Sequence, residues 1–313
     1  MSVEQISSWR KVEKSTPSNK RTILNLISDL ISLFKGLVLV SNVLPVFTGF
    51  CLALYFTNTA FTAKWDVFLL TIIGSTLVMG GALLLNNWYE VDLDKEMSRT
   101  KKRPTVTGTI SLKTVLAMGI IISLIGMILI AFTTWEATAY AFIGWFTYVV
   151  LYTFWSKRKY TLNTVIGSFS GAVTPLIGWA AIAPSYHYVP IVLALILFIW
   201  QMPHTFAIAI RRHDEYKAAG VAMLPVLRGV EFTKRQIVIY VACLLPLPFF
   251  LASLGTVFLI IATMLNISFL VASFTGFFVK DDIKWARMIF LISVNYIAIL
   301  FIMMIVVTMP IFN

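Results

Sequence analysis

Long apolar runs, separated by short polar stretches, dominate the pattern of this chain. A run near twenty residues with at most an isolated charge predicts a transmembrane helix. Nine are expected, at about 37–57, 66–87, 113–134, 137–155, 163–183, 188–210, 236–255, 257–279 and 285–309. A segment in hydrocarbon must satisfy its own backbone hydrogen bonds, which leaves helices or a closed barrel, and runs this unbroken exclude the barrel. The pattern predicts an all-α integral membrane protein, with an N-terminal segment over 1–33 and a single helical domain over 34–313. The connections are too short for a soluble domain. Composition agrees: of 313 residues, 59% are hydrophobic and 12% charged.

Charge adds direction. Of the 25 Lys and Arg, all but Lys64 fall in the N-terminal segment or in alternate connections, at 95–113, 157–159, 211–235 and 280–287. Cytoplasmic loops carry the excess of Lys and Arg. The N-terminus and the basic loops are therefore expected in the cytoplasm and the C-terminus outside. The net charge of +11 is accounted for by topology and calls for no nucleic acid partner. Glu4 and Glu13 in the N-terminal segment, and the lack of a short apolar core before a cleavage site, argue against a transit or signal peptide. A bacterial plasma membrane is the expected location, with the lipid bilayer as the surrounding partner.

The polar residues that matter most follow the second run, in "NNWYEVDLDKEMSRTKKRP", Asn86 to Pro104. On a continuous helix Asn86, Glu90 and Asp94, each four residues apart, share one face, with Asn87 at its border and Asp92 pointing away. Oxygen ligands in such a row suit Mg²⁺, which takes one or two carboxylates and completes its shell with water and substrate phosphate. Arg99, Lys101, Lys102 and Arg103 follow at once, and arginine forks grip phosphate oxygens. A metal and several cations together hold a diphosphate and make it a good leaving group. The plainer reading, a charged membrane-edge anchor, serves for the bases but not for amides at the hydrocarbon boundary, where polar groups are costly.

This segment resembles the signature of the UbiA-type intramembrane prenyltransferases in Asn86, Glu90, Leu93-Asp94, Met97, Arg99-Thr100, Arg103 and Gly108. The resemblance implies Mg²⁺-dependent transfer of an isoprenoid from its diphosphate, in a nine-helix bundle with polar cap loops at the cytoplasmic face. Asn86, Glu90 and Asp94 would hold the metal, and Arg99, Lys102 and Arg103 the diphosphate.

A second polar stretch closes the sixth run, "FIWQMPHTFAIAIRRHDEYKAAGVAMLPVLRG". Gln201, Pro203 and His204 lie roughly 10–15 Å into the membrane at 1.5 Å per residue. His204, Ile208, Arg211 or Arg212, and Glu215 follow one helical face. Most UbiA-type enzymes carry a second aspartate-rich segment here. This chain has His204, Arg211 and Arg212 instead, and only Asp214 and Glu215 remain acidic. That departure resembles the haem-farnesylating branch of the family, the protohaem IX farnesyltransferases.

The branch resemblance also takes in Lys35 and Asn42 of the first helix, Tyr152 with Lys157-Arg158 after the fourth, and "NTVIGSFSGAVTPLIGWAA" in the fifth. Four residues separate Tyr152 from Lys157, where the family element more usually has three. The branch implies farnesyl diphosphate and haem b as substrates and a downstream haem A synthase as a partner. His204, Arg211, Arg212, Asn42 and Lys35 would bind haem; Lys157, with a catalytic role, and Arg158 would assist at the diphosphate. Arginines can pair with haem propionates that a carboxylate cluster would repel, and a membrane histidine is a natural iron ligand. His213 is expected to be solvated, and His187, in an outside loop, to have no role. Two other readings stand beside this one: prenylation of an aromatic quinone precursor, and a haem carrier without chemistry.

Overall fold

A computed structural model describes residues 23–309, so most of the N-terminal segment expected over 1–33 lies outside the described residues. α1 (Ile23–Leu33) leads into α2 (Gly36–Phe56), and α3 (Trp65–Tyr89) is followed by two short helices, α4 (Val91–Glu96) and α5 (Pro104–Thr107). Next come α6 (Leu112–Ala131) and α7 (Trp135–Phe146), the latter running straight into a π-helix at Thr147–Ser156. α8 (Asn163–Ala172) and α9 (Thr174–Ala180) form a broken pair, and α10 (Tyr188–Arg211) ends in the short helices α11 (His213–Ala218) and α12 (Leu224–Arg228). α13 (Val230–Leu244) continues through a 3₁₀ stretch at Leu247–Leu254 before α14 (Thr256–Phe274) and α15 (Asp282–Val306).

Eight helices among the described residues are long and apolar enough to cross a membrane. The expected fifth run is two helices rather than one, and its own sequence breaks it. Pro175 has no N–H to give to the carbonyl of Gly171; the Thr174 hydroxyl donates to that carbonyl instead, at 2.7 Å. The bundle is apolar outside as well as inside, as a lipid-immersed protein must be. On α6, Val115 and Ile130 are fully buried while Leu124 and Ile128 are each 57% exposed. The largest buried cluster joins α10, α13, α14 and α15, and α3 packs along α6. α2 crosses α9 at Gly49 and Gly178, where a Cβ on either glycine would strike a backbone carbonyl of the other helix, Pro175 or Val46. Close approach through small residues is the usual means of tight packing between helices in lipid.

Side-chain caps start several crossings: the Ser111 and Thr134 hydroxyls accept from Thr114 and Ala137 N–H, and the Asp281 carboxylate from Lys284 N–H. The short helices α4, α5, α11 and α12 gather at the basic end of the bundle, where α3 and α10 finish and α2 and α15 begin.

Candidate functional site

The sequence predicts one helix through Asn86, Glu90 and Asp94; the structure breaks it. α3 stops at Tyr89, and Glu90, at φ −98° and ψ 19°, joins it to α4. The four-residue step survives the break, because Glu90 N–H donates to Asn86 C=O at 3.0 Å and Asp94 N–H to Glu90 C=O at 2.9 Å. The three side chains therefore still gather, and each is buried.

Each meets a different element. Lys35 Nζ donates to Asn86 Oδ1 at 2.5 Å, and Asn86 Nδ2 to Thr153 Oγ1 at 3.2 Å. Lys157 Nζ lies 2.5 Å from Glu90 Oε2, and Arg103 Nη1 2.6 Å from Asp94 Oδ2. Lys35, Glu90, Asp94, Arg99, Arg103, Lys157 and Tyr216 line a cavity of about 50 Å³. Glu90 Oε1 is buried without a hydrogen-bond partner, the only carboxylate oxygen so placed among the described residues. Four basic side chains thus share the cavity with two carboxylates, one of which has an oxygen to spare.

The π-helix places Lys157. Its backbone bonds span five residues, so Lys157 N–H donates to Tyr152 C=O at 3.0 Å. That winding brings residues five apart onto one face: Lys157 Nζ stands 5.4 Å from the centre of the Tyr152 ring. The additional residue between Tyr152 and Lys157 is absorbed by the wider turn. Asn163 secures the exit from the π-helix, its Nδ2 donating to the carbonyls of Lys157 at 3.2 Å and Ala222 at 3.1 Å. Lys35 is held differently, in the left-handed region at φ 48° and ψ 53° between α1 and α2. For a residue with a Cβ this costs about 1–2 kcal/mol, and such strain gathers at functional sites.

Electrostatics separates the two lysines. Burial, aided by the Arg103 charge and only partly offset by Glu90, pulls the Lys35 pKa down to about 7. Burial also opposes the Lys157 charge, but the Glu90 carboxylate outweighs it and holds Lys157 above its ordinary value.

Asn87 is structural as well as adjacent: it accepts from Arg103 at 3.2 Å and donates to the carbonyl of Leu33 at 2.6 Å, tying the end of α1 to the site. Thr100 closes the basic loop by donating to Asp94 C=O at 2.9 Å. Asp92 points away as expected and takes Arg158 with it, in a two-pronged pair at 2.7 Å on the outer surface. The Arg158 bond holds the Asp92 carboxyl below the usual range. Arg158 is thereby aimed away from the cavity, and Lys102 is exposed and off its wall.

The second polar stretch divides. Glu215 Oε1 accepts from Ser98 and from Arg212, both at 2.7 Å, so Glu215 and Arg212 dock on the loop after α4. Burial favours the neutral form of Glu215, but these two bonds outweigh it and hold the carboxyl below its usual range. Asp214 is fully exposed and lies 3.0 Å from His213, which is itself 32% exposed. His204 and Arg211 face α15 instead. His204 Nδ1 is 2.8 Å from Ser293 Oγ, and its ring lies 4.8 Å from Trp200 and 5.1 Å from Phe290, between centres. The Arg211 guanidinium stands 5.1 Å from the Phe290 ring. Asn42 turns back on its own helix, donating to Val38 C=O at 2.7 Å. His187 receives a bond from Val189 N–H and stacks on Trp179, as a structural residue would.

The residues fit a divalent cation modestly. Among the described residues no three of His, Cys, Asp and Glu stand together. Two carboxylates and an amide, with Glu90 Oε1 unpartnered, match an ion that leaves part of its shell to phosphate oxygens.

The sequence profile of the UbiA prenyltransferase family matches residues 42–311. A protein named Protoheme IX farnesyltransferase from Oceanobacillus iheyensis is 57% identical over 297 residues, 95% of each chain. Among solved structures, a digeranylgeranylglyceryl phosphate synthase superposes with a TM-score of 0.71 at 18% identity, over 90% of this chain and 98% of that one. A UbiA homolog from Archaeoglobus fulgidus bound to DMAPP and Mg²⁺ superposes with a TM-score of 0.63 at 16% identity, over 88% of this chain and 99% of that one.

Proposed function

The chain belongs to the UbiA prenyltransferase family, and on that premise we propose that it transfers the farnesyl group of farnesyl diphosphate to a vinyl group of haem b, giving haem O. The acceptor rests on the relative that matches nearly end to end. The donor rests on one observation in this structure: a cavity where Lys35, Arg99, Arg103 and Lys157 outnumber Glu90 and Asp94. A net positive, partly desolvated pocket suits a phosphorylated anion.

Asn86, Glu90 and Asp94 would hold Mg²⁺, which when bound neutralises diphosphate charge and so improves the leaving group. Lys157 and Arg103, each now on a carboxylate, would exchange that partner for a phosphate oxygen on substrate binding, which would leave Glu90 and Asp94 free to hold the ion. Lys35, held close by its strained backbone, adds a third cation, and Arg99 covers the mouth. Departure of diphosphate breaks the allylic C–O bond. The haem vinyl carbon forms the new C–C bond, water supplies a hydroxyl to the adjacent carbon, and one proton is released. His204 and Arg211, which face α15 together, receive the haem.

The crossing pattern of the family supports reading α8 and α9 together as a ninth span, within one domain over 34–313. With the positive-inside rule it supports a cytoplasmic N-terminus and basic end, and an outside C-terminus, in a bacterial plasma membrane. A downstream haem A synthase would take the product. The quinone-precursor reading lacks a second carboxylate cluster, and a haem carrier leaves the pocket without work.

The test is mass spectrometry of haem after incubation of the purified chain with haem b, farnesyl diphosphate and Mg²⁺. A product heavier by a farnesyl group and a hydroxyl, lost with EDTA, is expected. Unchanged haem from folded protein, with a quinone precursor prenylated instead, would overturn the acceptor.

A further inference from the structure

α10 and α15 pack together and run antiparallel, with His204 opposite Ser293. Seven residues along α10 toward the basic end lies Arg211, roughly 10 Å away at 1.5 Å per residue. Six residues along α15 in the same direction lies Arg287, which is therefore level with Arg211. Phe290 fixes the facing: it touches both His204 and the Arg211 guanidinium, and Arg287 precedes it by one turn on the same side of α15. Arg212 has Glu215 to balance it; neither Arg211 nor Arg287 has a carboxylate within ion-pairing distance among the described residues. Arg287 is exposed and Arg211 partly so.

Two guanidiniums without ion-pair partners, level with one another on the seam, call for a ligand with paired negative oxygens. The imidazole two turns deeper stands between aromatic rings, with Nδ1 engaged and Nε2 as its remaining nitrogen. The separation along the helix compares with the reach from the centre of a porphyrin to its propionate carboxylates. We propose that Arg287, together with Arg211, binds the propionates of haem b across the α10–α15 seam. This rests on haem b being the acceptor, and it adds a binding residue from an element that neither polar stretch contains. Both carboxylates of the acceptor are thereby drawn to the basic end, with the flat macrocycle along the seam.

The same guanidinium pair would also suit the phosphate of an anionic lipid, and the test separates the two. The full chain is placed in phosphatidylcholine nanodiscs, and KM is measured for haem b, for its propionate dimethyl ester and for farnesyl diphosphate. Wild type should prefer the free acid. Arg287→Gln should raise KM for haem b about tenfold, the loss of one charge-assisted bond, and leave KM for the ester and for farnesyl diphosphate unaltered. Arg287→Lys should recover part of the preference. An Arg287→Gln chain that keeps the full preference, or loses equally on acid and ester, overturns the proposal. So does an effect seen only in phosphatidylglycerol nanodiscs, which would make Arg287 a lipid contact. A wild type that farnesylates no haem overturns the acceptor and this site together; one that farnesylates acid and ester alike overturns this site alone.

Discussion

Two lysine-centred clusters of buried charge stand near the basic end, and they are built on opposite principles. In the first, Lys234 on α13 has a side chain only 3% exposed and lies 2.7 Å from both Glu231 and Asp282, the latter starting α15. Its acids reach solvent, its charge is more than balanced, and the Trp285 ring, 5.9 Å away, covers it. This clamp joins two crossings. In the second, around Glu90, four basic side chains face two buried carboxylates and one carboxylate oxygen has no partner. A balanced cluster stabilises; an unbalanced one keeps electrostatic work in reserve for a ligand. The contrast says more than burial alone, since both clusters are buried and both contain ion pairs.

The hardest blow to this contrast is Asp94→Asn. It keeps size and an acceptor for Arg103 while removing a metal-type charge, and turnover should fall about 10³-fold with little change in thermal unfolding. Normal haem O production would end the metal assignment. Lys157→Met should cut turnover about 10²-fold by removing a cation from the leaving group, read as single-turnover rate at saturating farnesyl diphosphate. At the clamp the pattern should reverse. Lys234→Met should lower unfolding stability by about 2 kcal/mol, less than for a fully buried pair because Glu231 and Asp282 rehydrate, while KM for farnesyl diphosphate stays constant.

Lys35 sharpens the comparison through pH. Its folded pKa of about 7 lies below the ordinary 10.5, so the unfolded chain binds the additional proton between these values and stability rises with pH across that window. Binding works in the other direction: an anion beside Lys35 raises its pKa, so farnesyl diphosphate should take up protons near pH 8. Calorimetry in buffers of different ionisation enthalpy would read up to about one proton, and Lys35→Gln should abolish the uptake. The smallest effect belongs to Arg158→Ala. Its pair with Asp92 is solvent-exposed and worth under about 1 kcal/mol, and turnover should stay within twofold. A large loss would return Arg158 to the diphosphate.

Much of this was legible in the chain. Apolar run length located eight helices that can cross a membrane, and four-residue spacing placed Asn86, Glu90 and Asp94 together, because both depend on local periodicity. What stayed hidden depends on partners far away in sequence. Ser98 meets Glu215, Asn87 meets Leu33, and Lys234 meets Asp282; no spacing rule relates such positions. The helix break at Glu90 was also missed, since a continuous pattern of polar residues reads as a continuous helix. The second polar stretch was read as one face, yet Arg211 and Arg212 part at the end of α10, one toward α15 and one toward Ser98. A clue to the fifth run was present in Pro175, whose missing donor splits α8 from α9.

The π-helix at Thr147–Ser156 carries a further consequence, for which changes this protein can tolerate. A substitution on its outer face alters one contact. A deletion of one residue would allow the stretch to rewind as an ordinary α-helix, swinging everything beyond it by roughly 100° and carrying Lys157 off Glu90 and Asn163 off its two carbonyls. Here the number of residues matters more than their identity. Variation among functional relatives should therefore show exchanges of side chains in this segment but few insertions or losses.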